Sequence, residues 1–64
     1  MGFKNMVHDA YRRDAEITVR IQQDDGWFLK TGYVAEIKPC YFILNTDHGR
    51  SGVCFNELTG IKEY

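Results

Sequence analysis

The sequence predicts a mainly β domain, five short strands behind one N-terminal α-helix. Three observations carry this. Apolar residues recur at helical spacing only over residues 3–13. From residue 16 onward they alternate with a period of two. Turn-forming residues then punctuate the chain at Asp24-Asp25-Gly26, Lys38-Pro39-Cys40 and Asp47 to Gly52.

The helix comes first. Phe3, Met6, Val7, Ala10 and Tyr11 fall at i, i+3, i+4, i+7 and i+8, which is one stripe of a helix. Lys4, Asn5, Asp9, Arg12 and Arg13 take the other side. The two arginines sit in the last turn, where cations suit the helix dipole. So short a helix needs a surface to lie on.

Ile17, Val19 and Ile21 alternate with Thr18, Arg20 and Gln22, the pattern of a half-buried strand. A two-residue loop at Asp25-Gly26 would set Ile21 opposite Lys30. A three-residue loop, Asp24 to Gly26, sets Ile21 opposite Leu29 and Val19 opposite Thr31, and the apolar face favours it. The second strand runs from about Trp27 to Ile37. Trp27, Leu29, Tyr33, Ala35 and Ile37 share one face; Phe28 and Val34 lie on the other, with Gly32 marking a bend. The next turn pairs Ile37 with Tyr41 and Ala35 with Ile43. The third strand, Tyr41 to Thr46, is apolar on both faces. Val53 and Phe55 form a short fourth strand, Asn56 to Gly60 a helical turn, and Ile61 to Tyr64 a last strand.

This order resembles the Sm/Hfq-type small β-barrel. The likeness is carried by Ile17-Thr18-Val19-Arg20-Ile21, Asp25-Gly26, Gly32-Tyr33-Val34, Tyr41-Phe42-Ile43-Leu44 and Phe55-Asn56-Glu57-Leu58-Thr59-Gly60-Ile61. Ala10-Tyr11-Arg12-Arg13 is similar to the end of the Hfq helix. Phe55, Leu58 and Ile61 are spaced like the close of YolD-like proteins of bacteria and phages. The resemblance implies one domain over residues 1–64, with a helix at about 3–13 and a five-stranded Sm-like barrel at about 16–64. Three departures stand beside it. Lys38-Pro39 replaces the usual Asp after the second strand. The gap from Gly26 to Gly32 is one residue longer than the usual spacing. Cys54-Phe55-Asn56 stands where the family has a nucleotide-contacting Lys-His pair.

Composition narrows the function. The 64 residues make one domain, and 8 Lys+Arg against 9 Asp+Glu leave a net charge of -1. That balance excludes a polybasic tail and opposes strong non-specific nucleic-acid binding by a monomer. An apolar content of 44% excludes a disordered linker. The two cysteines make no disulfide framework, no signal peptide is evident, and no apolar run reaches membrane length, so a reduced cytoplasmic setting is expected. His8, Cys40, His48 and Cys54 match no metal-ligand spacing, and no nucleophile–base pattern appears. No metal, no cofactor and no catalytic residue is therefore expected. Asp24-Asp25 reads as turn chemistry.

The middle of the chain holds more apolar residues than a domain this small is expected to cover. Trp27, Phe28, Val34, Tyr41, Phe42 and Leu44 are therefore expected at a protein interface. The expected function is non-catalytic. The chain would be a self-associating module with a larger protein partner, and its likeness to the YolD-like group implies a bacterial or phage regulator or inhibitor. The alternative is Sm-like binding of RNA or single-stranded DNA through Arg12, Arg13, Arg20, Lys30 and Arg50, with Trp27, Phe28 and Tyr33 interleaved. A further alternative is an oligomer that sequesters a small ligand.

Overall fold

A computed structural model describes residues 2–63, so Met1 and Tyr64 lie outside it. The elements are α1 (Phe3–Arg13), β1 (Glu16–Gln23), β2 (Gly26–Ile37), β3 (Tyr41–Thr46), β4 (Gly49–Cys54), a 3-10 turn (Phe55–Glu57) and β5 (Leu58–Glu63). All neighbouring strands are antiparallel, in one five-stranded sheet of order β4-β3-β2-β1-β5. Three boundaries differ from expectation. Phe55, expected in the fourth strand, opens the 3-10 turn instead. β4 begins at Gly49, inside the expected turn, and Leu58 to Gly60 continue a strand beside β1 where a helical turn was expected.

α1 lies against β2 and β5 and buries Val7 and Ala10. Its apolar stripe is narrower than the spacing predicts, since Phe3 and Tyr11 stay exposed. The helix ends at Asp14, whose φ of 54° is left-handed and whose N–H donates to the carbonyls of Ala10 and Tyr11. Asp tolerates this conformation better than most side chains, so the helix stops without a glycine.

The β1–β2 hairpin corrects the expected register. Asp24 and Asp25 form a two-residue turn, Gln23 pairs with Gly26, Ile21 with Phe28 and Val19 with Lys30. Ile21 does not face Leu29. A one-residue slip turns every side chain of a strand to the opposite face, and here it decides the core. Gly32 and Val34 point inward; Trp27, Leu29 and Tyr33 point outward. The apolar character of Trp27, Leu29 and Tyr33 mimics a core face, whereas the true core face of β2 is thinned by Lys30 and Gly32. Gly32 has no room for a side chain: an added Cβ would meet the Asn45 carbonyl oxygen at 1.9 Å. β2 and β3 approach each other there.

Past Gly32 the expected register holds at Tyr33↔Asn45 and Val34↔Leu44 and then slips at Ala35. Beyond this irregularity Glu36 pairs with Ile43 and Ile37 with Phe42, so Ile37 does not meet Tyr41 nor Ala35 Ile43. An extra residue of this kind bends a strand.

One cluster holds Val7, Ala10, Ile17, Val19, Ile21, Val34, Phe42, Leu44, Val53 and Leu58. The edge strands β4 and β5 both feed it, through Val53 and Leu58, so the sheet curls around a single core. This overturns the expectation that Val34, Phe42 and Leu44 meet a partner. Phe42 and Leu44 are 0% exposed within the chain itself and Val34 is 7% exposed. The curl and α1 cover the face that the sequence reading left bare. The uncovered apolar residues are those of the other face, Trp27 (55%), Leu29 (56%), Tyr33 (44%) and Tyr41 (40%), with Phe28 at the rim (37%).

Candidate nucleic-acid interface

The five cations singled out in the sequence do not form one patch. Arg12 and Arg13 lie in the last turn of α1 and are held by carboxylates. Arg12 Nη2 is 3.3 Å from Asp9 Oδ1. Arg13 Nε donates to Asp9 Oδ2 at 2.9 Å, and its two terminal nitrogens grip Glu63 at 2.6 and 2.5 Å. The fork ties the helix to β5. Hydrogen bonds from Arg13 hold the Glu63 and Asp9 carboxyls below the ordinary carboxylate range, and the Glu63 bond raises the Arg13 guanidinium further above its own. Arg50, on edge strand β4, is 3.6 Å from Glu36.

Arg20 and Lys30 point to opposite faces of the sheet. Arg20 lies 4.3 Å from the Trp27 ring centroid on the outer face. Lys30, half-buried, bonds to Ser51 Oγ and lies 5.5 Å from the Phe28 centroid. A groove of about 440 Å³ opens beside it, lined by Leu29, Thr31 and the β3–β4 turn. Asp47 stands in that turn, so the groove mixes charges.

The cleft best suited to an anion was not apparent from the sequence. It lies between the start of α1, the end of β2 and the 3-10 turn. Lys4, His8, Ile37, Lys38, Pro39 and Phe55 line it, and it encloses about 280 Å³. Lys4 and His8 are i, i+4 on the helix and therefore share a face. Lys4 Nζ sits 5.3 Å from the Phe55 centroid, a cation over a ring. Phe55 rests on the buried Phe42 at 5.3 Å between centroids, which fixes the ring from behind. Two backbone bonds set the turn: Lys38 N–H to the Tyr41 carbonyl at 2.8 Å, and Phe55 N–H to the Cys40 carbonyl at 3.1 Å. Glu36 reaches Lys38 at 3.7 Å from outside the cleft. No carboxylate stands among the described residues that line it. Lysines on either side of such a cleft can neutralise a phosphate, while Lys4 already occupies the open face of the Phe55 ring.

The sequence did carry a signal for this cleft. Lys4 and His8 have helical spacing, whereas Cys54-Phe55-Asn56 departs from the Sm/Hfq pattern and did not point to Phe55. The missing link was spatial, because the lysines come from α1 and the turn after β2, far from Phe55 in the chain. Cys40 and Cys54 are exposed thiols, and no group of three or more metal-ligating side chains gathers among the described residues.

No protein-family model matches the chain, and no curated protein matches it. The YolD-like likeness therefore finds no support. Among solved structures the chain is similar to a crystal structure of the pleiotropic translational regulator Hfq, with a TM-score of 0.76 and 15% sequence identity, over 94% of this chain and 95% of that one. The helix followed by a curled five-stranded antiparallel sheet is thus the Sm/Hfq fold.

Proposed function

We propose that this chain is a non-catalytic, self-associating RNA-binding module of the Hfq kind, acting in the cytoplasm. The observation that carries the reading is the acid-free cleft, in which Lys4 covers Phe55 beside His8 and Lys38. The fold adds support, since the similar solved structure is that of a translational regulator. Self-association is supported by the two sheet edges. β4 and β5 pair on one side only, and each leaves a row of backbone donors and acceptors for another chain. Repetition would also gather several clefts on one assembly, so that several weak contacts act together on one strand.

The test is fluorescence anisotropy with single-stranded RNA and DNA oligonucleotides across a salt series. Each phosphate neutralised on a single strand contributes about −0.7 to the slope of log K against log salt. Two lysines per cleft predict a slope of roughly −1.4 for each cleft engaged. Lys4→Glu with Lys38→Glu abolishes binding while the fold persists. Unchanged affinity in that variant refutes the assignment.

A second reading has its own observation. Trp27, Phe28 and Tyr41 remain exposed, and aromatic residues on a surface are common anchors of protein interfaces. On this reading the chain regulates or inhibits a larger protein by contact. Binding would then survive high salt, and the Lys4/Lys38 variant would retain it.

A further inference from the structure

We infer that the outer face of the β1–β2 hairpin is a self-complementary docking surface for a second copy of this chain. This contact is distinct from any made by the sheet edges and independent of the nucleic-acid reading. The argument starts from the register. On the outer face Arg20 stands opposite Leu29, Thr18 opposite Thr31, and Glu16 opposite Tyr33. Within the hairpin the middle row is small and polar, its two hydroxyls joined at 2.8 Å, and Lys62 of β5 continues it beyond Thr18. The rows on either side each combine one charge with one exposed apolar side chain. Leu29 is 56% and Tyr33 44% exposed. Among the described residues neither Glu16 nor Arg20 has an ion-pair partner.

A second copy laid face to face, with its strands reversed about the Thr18–Thr31 row, makes this pattern its own complement. Arg20 then meets the second copy's Glu16, Leu29 meets its Tyr33, and both contacts occur twice by symmetry. The distances allow it. Rows two residues apart along a strand are separated by roughly 7 Å, and facing sheets stack about 10 Å apart. Aligned sheets cross at about 30°, which displaces these rows by roughly 3.5 Å, within the reach of an arginine. The short Thr side chains at the centre permit close approach. The hairpin's own two strands put one glutamate and one arginine on this face, a pairing that suits another copy better than a polyanion.

The experiment is light scattering on the full chain over a concentration series. The wild type is expected at twice the mass of Arg20→Glu, whatever assembly the edges build. Glu16→Arg alone is likewise expected at half the wild-type mass, because each single variant brings like charges together. An equal mixture of the two variants restores the wild-type mass, since one copy then offers two arginines to the other's two glutamates. Thr31→Arg, which puts a bulky charge on the symmetry axis, also halves the mass; circular dichroism checks that each variant keeps its fold. An unchanged mass in Arg20→Glu overturns the inference, as does a mixture that stays at half mass. If Arg20→Glu loses oligonucleotide binding but keeps the wild-type mass, the face is a nucleic-acid surface and the docking proposal falls.

Discussion

Replacing Gly32 with alanine tests the central contact of the fold. The new Cβ would lie 1.9 Å from the Asn45 carbonyl oxygen and 2.7 Å from its carbonyl carbon. Carbon and oxygen normally approach to about 3.3 Å, so the strands must part by roughly 1.4 Å at that point. The obstacle is backbone, so it cannot swing aside. Parting stretches the ladder around Tyr33↔Asn45 beyond hydrogen-bond range and loosens Val34 against Leu44. Loss of one or two net hydrogen bonds at about 1 kcal/mol each, plus a comparable packing loss, gives a destabilisation of about 2–4 kcal/mol. For a domain of this size that lowers Tm by roughly 10–30 °C. Gly52→Ala is the control. Its Cβ meets nothing within 4 Å, so its expected effect is within about 0.5 kcal/mol. Thermal and urea melts of both variants make the measurement. If Gly32→Ala melts within a few degrees of Gly52→Ala, the close approach of β2 and β3 is wrong.

Phe42→Ala removes a side chain that is 0% exposed. A loss of about 3–5 kcal/mol is expected, enough to unfold much of a domain whose whole stability is only several kcal/mol. Tyr41→Ala, one residue away and 40% exposed, is expected to cost under about 1 kcal/mol. Equal melting curves for the two would contradict the core assignment. The Arg13 fork predicts an acid response. Because Asp9 and Glu63 have carboxyls held below their ordinary range, their contribution is present above the unfolded carboxylate pKa, about 4. It is lost as pH falls through the lower, folded values. Glu63→Gln should flatten the pH dependence of Tm below about pH 4, and high salt should shrink the difference. A Glu63→Gln profile that runs parallel to wild type down to pH 2 would show that the fork does not form.

Local periodicity decided a good deal. The helix, the positions of the strands and their antiparallel order follow from spacing and turn residues, and the resemblance of Ile17 to Ile21 and Tyr41 to Leu44 to an Sm-type barrel agrees with the fold. Which face of each strand is the inside did not follow. On β2 both candidate faces carry apolar residues. The bulkier set, Trp27, Leu29 and Tyr33, proved to be outside, because a two-residue turn sets the register and α1 with the curled edges covers Val34, Phe42 and Leu44.

The cleft shows the same division. The chain determines that Lys4, His8, Lys38 and Phe55 exist, and of the four only His8 has a carboxylate immediately beside it in sequence, Asp9. Only the folded arrangement brings them together, since a helix start, a turn and a 3-10 segment meet there through contacts distant along the chain. Local spacing reports which side chains share an element and a face. It does not report which elements meet, because that depends on how one small core closes around its largest side chains.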